Sequence, residues 1–188
     1  MVGLTNHGKL GIIVLRSCSK LGDMVENRIK QLRGEYIIPI EEVRFSNGEG
    51  KIKILDSVRG KDIFILVDVG NYSCTYKMFG SENRMGPDEH YQDVKRCLSA
   101  IGGKANRITV IMPLLYSSRQ HKRKGRESLD CAVALEELEN LGVDAIISFD
   151  VHDPTIHNAI PNSSFENIFP TYSLLKNFIN KEGDDIFK

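Results

Sequence analysis

The fold is decided by the stretch AIISFDVHDP at residues 145–154, where a β-rich apolar run leads directly into a group of polar side chains. The run Ala145–Phe149 is nearly continuous in apolar residues and lacks the strict alternation of a half-exposed strand. A run of this kind predicts a strand that is covered on both faces of a sheet. The polar residues of Asp150–Pro154 then follow where that strand ends.

Similar runs occur three more times, at Gly11–Arg16, Asp62–Val67 and Arg107–Met112. Apolar residues also recur at helical spacing, which predicts helices over residues 21–32 (capped by Gly34), 88–102, 131–141 and 171–180. Strands that alternate with helices predict an α/β fold with a mostly parallel sheet and helices on both faces. Ligands of such sheets bind beyond the carboxyl ends of the strands.

Two segments depart from the alternation. Tyr36–Ile40 is predicted to be an additional strand, and residues 43–45 and 51–55 flank a turn-rich link that predicts a small β-hairpin. The region from Asp68 to Pro87 is rich in Gly, Asn, Ser and Tyr. We predict a long loop there, and a loop of that length is usually functional or mobile.

A strongly basic octamer, RQHKRKGR, occupies residues 119–126 just after a predicted strand. Five of its eight residues are permanently charged, although the whole chain has 25 basic and 25 acidic residues and no net charge. Arg119 offers a planar fork of donors that suits phosphate oxygens, and Gln120 can both donate and accept toward a purine edge. The alternative interpretation is a solvated charge run on an exposed loop.

Asp150 and His152 lie two residues apart at the end of a predicted strand, so an extended segment would point both side chains the same way. Together they could hold a divalent cation or a triphosphate. Magnesium prefers oxygen ligands, which favours Asp150 for the ion and His152 for the phosphates. The alternative is a histidine that is satisfied by hydrogen bonds at a strand terminus.

The predicted hairpin carries Phe45, Asn47 and Glu49 at its tip. An aromatic ring can stack on a base, and the two polar side chains at positions i and i+2 could bond a base edge. The alternative is an ordinary turn with an Asn-Gly centre.

Composition narrows the class of protein. With 41% apolar and 27% charged residues, the chain can form a core and a hydrated surface. It has no apolar run long enough to span a bilayer and no secretory signal pattern, so we expect no membrane association. Its four cysteines form no C-x-x-C pair, and we expect reduced thiols in a cytoplasmic protein. The neutral charge and the absence of Trp make nucleic-acid binding through the basic octamer a minor alternative.

In combination, these segments resemble the ribose-phosphate pyrophosphokinases. The resemblance is carried by the following sequences, in the order that the family shows: RFSNGE (44–49), DSVRGKDIFI (56–65), RITVIMP (107–113), SRQ (118–120), RE (126–127), DVH (150–152) and IP (160–161). It extends from about residue 10 to residue 180. The SVRGKD and RQ elements are specific to the family.

The resemblance implies a phosphoribosyltransferase-like (type I) domain that uses Mg²⁺ and ATP. Such enzymes transfer the β,γ-diphosphoryl group of ATP to the C1 hydroxyl of ribose 5-phosphate. Arg119 and Gln120 would contact ATP, and His152 would lie beside its phosphates as the catalytic residue and as a metal-region residue. Asp150 matches a metal-binding aspartate. The tip residues Phe45, Asn47 and Glu49 (see above) would hold the adenine of ATP bound to a neighbouring subunit, which implies a homo-oligomer with a shared ATP site.

Four features depart from the family pattern. His121 replaces the aspartate that usually follows the Arg-Gln pair, and Ala159 and Ser163 occupy positions that are commonly acidic near the metal region. The segment 71–86 is longer and more irregular than the family norm.

The family's second half, with its acidic Thr-Gly-Thr loop for ribose 5-phosphate, has no counterpart in this sequence. We therefore expect residues 1–188 to form one N-terminal, ATP-side domain of a two-domain enzyme, inactive alone, with the C-terminal ribose-5-phosphate-binding domain absent. A non-catalytic regulatory or assembly partner of such a synthetase is the alternative.

Overall fold

The computed structural model describes residues 8–31 and 36–182. In chain order, its elements are β1 (Leu10–Val14), α1 (Ser19–Lys30), β2 (Ile40–Arg44), β3 (Gly50–Ile54), β4 (Asp62–Leu66), β5 (Thr75–Met78), β6 (Ser81–Arg84), α2 (Pro87–Ile101), β7 (Arg107–Ile111), α3 (Asp130–Asn140), β8 (Ala145–Phe149), β9 (Ser164–Ile168) and α4 (Thr171–Glu182). Short 3₁₀ turns follow β1 and precede β9.

The central sheet has five strands in the order β1-β4-β7-β8-β9, and all of its strand pairs are parallel. This sheet confirms the α/β fold class that the alternating apolar runs predict. Parallel strands carry their carboxyl ends at one edge, so the loops after β7 and β8 emerge side by side. That placement brings the basic octamer and the Asp150–Asp153 segment to the same edge of the sheet.

The two faces of the sheet bury alternate residues of each strand, because successive side chains of a strand point to opposite sides. Ile12 packs with α1, whereas Ile13 lies in the larger core with α2 and α3. Burial of one such side chain contributes about 1.5–3 kcal/mol. Helix α1 approaches β1 closely, since a Cβ on Gly22 would lie within 2.4 Å of the Val14 side chain. Helices therefore cover both faces, as expected.

The predicted hairpin is present as the antiparallel pair β2–β3. A buried ion-pair network fixes the end of β2 that adjoins the turn to α2: Asp93 accepts from Arg44 at 2.5 Å and from Arg96 at 2.8 Å. The side chains of Arg44 and Asp93 are 10% and 7% exposed. Charges this well shielded from water are costly to separate, so the network holds the hairpin against the domain.

The prediction of a structureless loop from Asp68 to Pro87 is wrong. The segment contains a second antiparallel hairpin, β5–β6, whose two-residue turn is Phe79-Gly80. Both turn residues have positive φ (48° and 84°), which is the geometry of a tight type I′ connection. Phe is an unusual first residue for that turn, and the sequence therefore gave no hairpin signal.

Other departures are smaller. Tyr36–Ile40 is not a strand of its own: Ile37 makes a single parallel bridge to Ile12, and Pro39, which lacks an N–H, precedes the start of β2. Strand β9 was not anticipated, because its alternating SFENI pattern follows a turn-rich region. The four predicted helices are confirmed to within about two residues at the ends that are described. The predicted cap at Gly34 lies outside the described residues.

Helix α4 leaves its large apolar side chains exposed, including Tyr172 at 75% and Leu174 at 63%. Across the parts of the chain that the structure covers, no helix combines the length and the apolar character needed to cross a membrane.

Candidate functional site

Two loops meet at the carboxyl edge of the sheet. The strands that carry them are joined beyond their ladder by hydrogen bonds: Ser148 Oγ donates to the Met112 carbonyl at 2.8 Å, and the Phe149 N–H donates to the Pro113 carbonyl at 3.1 Å. The path of the chain after β7 is therefore fixed against the end of β8. The basic octamer begins six residues after Pro113.

The first residues of the basic octamer are held by local turns. Ser117 has a left-handed backbone (φ 51°), and its carbonyl accepts from the Gln120 N–H at 2.8 Å. The Gln120 carbonyl in turn accepts from the N–H of Cys131 in α3 at 3.3 Å. Arg119 and Gln120 have exposed side chains. The backbone is thus ordered while both predicted ATP-contacting side chains face solvent.

The loops after β7 and β8 contact each other directly. Asp153 accepts from Lys122 Nζ at 2.7 Å and faces His121 Nε2 at 3.2 Å. The rings of His121 and His152 meet edge to face with centroids 5.1 Å apart. We call this group, residues 119–122 with residues 150–153, the strand-tip junction. It brings the predicted residue His152 next to the loop that carries Arg119.

Asp153 organises the strand-tip junction. Besides Lys122, it accepts from the Thr155 N–H at 2.9 Å and the Thr155 hydroxyl at 2.7 Å. The hydrogen bond from Lys122, followed by those from Thr155, lowers the pKa of the Asp153 carboxyl well below its usual range. The side chain therefore stays ionised and cannot act as a proton donor at neutral pH.

His121 faces acceptor oxygens on both sides. Its Nδ1 lies 3.2 Å from the Ser118 carbonyl, and its Nε2 lies 3.2 Å from the Asp153 carboxylate. A neutral imidazole can donate to one of them, and an imidazolium can donate to both. The usual family aspartate at this position would instead place a second carboxylate near Asp153. The departure at residue 121 therefore fits its surroundings in this chain.

The backbone at the end of β8 is supported by β9. The Asp150 N–H donates to the Ile168 carbonyl at 3.1 Å, and the Val151 N–H donates to Asn167 Oδ1 at 3.1 Å. Asp150 itself has a left-handed backbone (φ 46°), a conformation that aspartate tolerates better than most residues. The side chains of Asp150 and His152 are exposed. Sequence reasoning missed Asn167, whose role depends on a strand that it did not predict.

The hairpin tip of Phe45, Asn47 and Glu49 forms a separate group. Its hydrogen bonds are local, apart from one that Ser46 accepts from the Phe79 N–H. Asn47 Oδ1 accepts from the Glu49 N–H at 3.1 Å. Within residues 8–31 and 36–182, no hydrogen bond or ion pair joins this tip to the strand-tip junction. The structure thus joins the loops that carry Arg119 and His152 and leaves the hairpin tip as a separate group.

Few groups in the site region could hold a metal ion. Among the residues described, no three His, Cys, Asp or Glu side chains cluster in a way that could bind one. Ala159 packs on the core, and Ser163 donates its hydroxyl to the Val143 carbonyl at 2.8 Å. Burial raises the pKa of Cys97 and of Cys131 to about 12, so neither thiol is a ready ligand at neutral pH. Asp150 remains as an exposed carboxylate at the strand-tip junction.

The five-stranded parallel sheet, with helices on both faces and small hairpins, is a phosphoribosyltransferase-like fold. The structure is similar to the crystal structure of phosphoribosylpyrophosphate synthetase from Mycobacterium smegmatis, with a TM-score of 0.75 and 24% sequence identity, over 93% of this chain and 52% of that one. At that identity the likeness establishes the fold.

The sequence comparisons identify the family. Residues 10–142 match the family model described as the N-terminal domain of ribose phosphate pyrophosphokinase. The chain belongs to that family.

Two curated relatives illustrate its extent. The chain is 36% identical over 111 residues to ribose-phosphate pyrophosphokinase 1 of Schizosaccharomyces pombe, covering 58% of this chain and 24% of the relative. It is 26% identical over 168 residues to ribose-phosphate pyrophosphokinase of Buchnera aphidicola, covering 88% of this chain and 48% of the relative. The matched region thus spans about a quarter to a half of each relative's length.

Proposed function

We propose that this chain is the ATP-side half of a magnesium-dependent ribose-phosphate pyrophosphokinase. The observation that supports the proposal best is the strand-tip junction, in which His121 contacts both His152 and Asp153. It gathers side chains that would suit phosphate at the edge of a parallel sheet where ligands of such folds bind. The names of the chain's relatives supply the reaction class.

The reaction is a displacement at the β-phosphorus of ATP. The C1 oxygen of ribose 5-phosphate forms a bond to that phosphorus, the bond to the oxygen that bridges the α- and β-phosphates breaks, and AMP leaves. The proton of the C1 hydroxyl is released. Such a transfer depends on positioning and on neutralising charge more than on covalent catalysis. Arg119 and Gln120 would hold ATP, and His152 would stabilise the charge that develops on the phosphates.

The donor groups fit a magnesium ion that is held mostly by its substrate. Mg²⁺ commonly binds through one or two carboxylates, with substrate phosphates and water as its other ligands. Asp150 would provide the carboxylate, directly or through water. When bound, the ion would neutralise negative charge on the phosphates.

The matches to the two relatives cover 24% and 48% of those relatives' lengths. We propose that ribose 5-phosphate binds to a second domain and that this polypeptide alone makes no phosphoribosyl pyrophosphate. The separate position of the hairpin tip leads us to propose that Phe45, Asn47 and Glu49 serve the ATP of a neighbouring subunit. The functional unit would then be a homo-oligomer.

Calorimetric titration with ATP, with and without Mg²⁺, tests the proposal. Wild-type protein should bind ATP more tightly with the ion. Arg119→Ala should weaken binding about 10- to 100-fold, since a hydrogen bond to a charged group contributes about 1.5–3 kcal/mol. The matched control is Arg28→Ala, which removes an exposed arginine from α1 and should bind like wild type. Equal binding by Arg119→Ala and wild type would contradict the assignment.

A non-catalytic regulatory or assembly partner is the second candidate. Ala159 and Ser163, which provide no carboxylate near the metal region, favour it. It predicts no magnesium-dependent binding of ATP by the wild-type chain. Nucleic-acid binding through the basic octamer is a further alternative, which predicts an affinity that falls steeply with salt.

A further inference from the structure

The hairpin β5–β6, which occupies the unusual segment 71–86, packs against the tip of β2–β3. The Phe79 N–H donates to the Ser46 carbonyl at 2.8 Å. The side chains of Met78 and Tyr76 approach Gly48, where an added Cβ would lie 3.0 Å from the Met78 sulfur. We call β2–β3 and β5–β6 together the hairpin pair. The added hairpin places its own turn beside residues 45–49.

The turn of the added hairpin carries an unfavourable residue. Type I′ turns favour Asn-Gly because both central residues have positive φ, and Phe79 holds that conformation without the local hydrogen bonds that an Asn side chain can make. The ring of Phe79 is also 79% exposed. Backbone strain at Phe79 opposes formation of the turn, and the exposed ring gains little from burial to offset it. Strained residues that persist in this way are concentrated at functional sites.

The groups around Phe79 suit a flat heterocycle. Phe45, adjacent to the Ser46 that accepts from Phe79, is 47% exposed. Asn47 Oδ1 is satisfied by the Glu49 N–H. In the described residues, neither the Asn47 amide nitrogen nor the Glu49 carboxylate has a partner. Two aromatic faces, one donor and one acceptor are the chemistry that recognises an adenine, through stacking and through its ring-nitrogen and amino edge.

We infer that Phe79 is a second aromatic contact for the adenine of ATP, contributed by a hairpin that extends the base subsite formed by Phe45, Asn47 and Glu49. The inference rests on the proposed function, because it assigns Phe79 to the same ATP. Phe79 is thereby a specificity-determining residue at the base end of the nucleotide, away from the phosphates. Phe79 therefore contributes to affinity for the base and not for the phosphates.

The test variant is Phe79→Asn, titrated by calorimetry with magnesium-ATP and separately with magnesium-tripolyphosphate, which lacks a base. The full chain is used at a concentration at which its oligomeric state is unchanged. Asn-Gly suits the turn, so urea unfolding should show stability equal to or above wild type. Affinity for ATP should fall about five- to tenfold. Affinity for tripolyphosphate should not change.

Two further variants distinguish the effect of the Phe79 ring from effects of the surrounding segment. Phe79→Tyr keeps the aromatic face and should bind ATP within about twofold of wild type. Tyr72→Asn removes an exposed ring (60%) from the same segment, away from the turn, and should also bind like wild type.

The outcomes that overturn the inference differ from those that overturn the proposed function. If Arg119→Ala loses ATP but Phe79→Asn keeps wild-type affinity, the inference alone fails. It also fails if Phe79→Asn weakens ATP and tripolyphosphate equally. A changed oligomeric state in Phe79→Asn would make Phe79 a subunit contact and overturn the inference too. Absence of ATP binding by wild type overturns both proposals.

Discussion

The strand-tip junction and the hairpin pair are held in place by different structural elements. The junction is built on neighbouring strands of a buried sheet, and its members lie in the loops that follow β7 and β8. The hairpin pair stands on antiparallel ribbons outside the sheet and depends on contacts between segments that are far apart in sequence. Residues at the ends of neighbouring parallel strands are thus brought together by the sheet itself, whereas the tip of β2–β3 contacts an added, separately anchored hairpin.

The anchoring of the hairpin pair provides the test with the largest expected effect. Asp93→Ala removes the carboxylate that Arg44 and Arg96 share and leaves buried charge uncompensated. Unfolding in urea should show a loss of about 3–5 kcal/mol. The control, Glu26→Ala, breaks a surface pair with Lys30 and should cost less than about 1 kcal/mol. Comparable small losses in both variants would show that the network does not anchor the hairpin.

A negative charge introduced at residue 121, beside that of Asp153, tests the contact between the two loops of the strand-tip junction. The expected effect on stability is smaller than that of Asp93→Ala. His121→Asp would replace the histidine nitrogen that faces Asp153 with a carboxylate of like charge, although the shorter side chain would lie further from Asp153 than the present 3.2 Å contact. We expect faster hydrogen exchange at the Gln120 amide, with a loss of about 1 kcal/mol or less in global stability. His157→Asp changes an exposed histidine of the neighbouring 3₁₀ turn and should leave that amide unaffected. If hydrogen exchange at the Gln120 amide is unchanged in His121→Asp, the two loops are not energetically coupled.

The ionisation of Asp153 gives the smallest and most specific effect. Its lowered pKa in the folded state means that its stabilisation is present at neutral pH and is lost as the pH falls through the folded-state value. The stability difference between wild type and Asp153→Asn should therefore be full above about pH 5 and begin to shrink below about pH 4. It should vanish only as the pH falls through the lowered folded-state pKa of the carboxyl. A difference that is constant from pH 7 to pH 2 would rule out an ionic contribution from this carboxylate.

Much of the fold could be predicted from the sequence because buried parallel strands have a strong local signature. The runs in β1, β4, β7 and β8 are nearly continuous in apolar residues. Glycines with positive φ, Gly102 and Gly142, follow α2 and α3. From there, the side-by-side position of the basic octamer and Asp150–Asp153 follows by topology. Strand β9 escaped prediction because its half-exposed alternation is short and lies next to turn residues.

The second hairpin of the pair, β5–β6, could not be predicted in the same way. Phe79-Gly80 is not a favoured turn sequence, and the pairing of Tyr76 with Asn83 reveals itself only in three dimensions. The link from Phe79 to Ser46 spans more than thirty residues. Likewise, the contact from Lys122 to Asp153 joins two loops whose side chains no local pattern connects. Sequence patterns therefore indicated candidate residues in each region, whereas the distant partners that those residues contact became evident only in the structure.

We propose that the loops after β7 and β8 bind one triphosphate, and the variant His152→Ala provides the sharpest test of that proposal. Calorimetry with magnesium-ATP should show binding weakened by an amount similar to that in Arg119→Ala. The matched variant His157→Ala, whose ring contacts the Pro154 carbonyl at 2.7 Å, should bind like wild type. Wild-type affinity in His152→Ala, together with loss of binding in Arg119→Ala, would contradict the claim that the strand-tip junction is a single site.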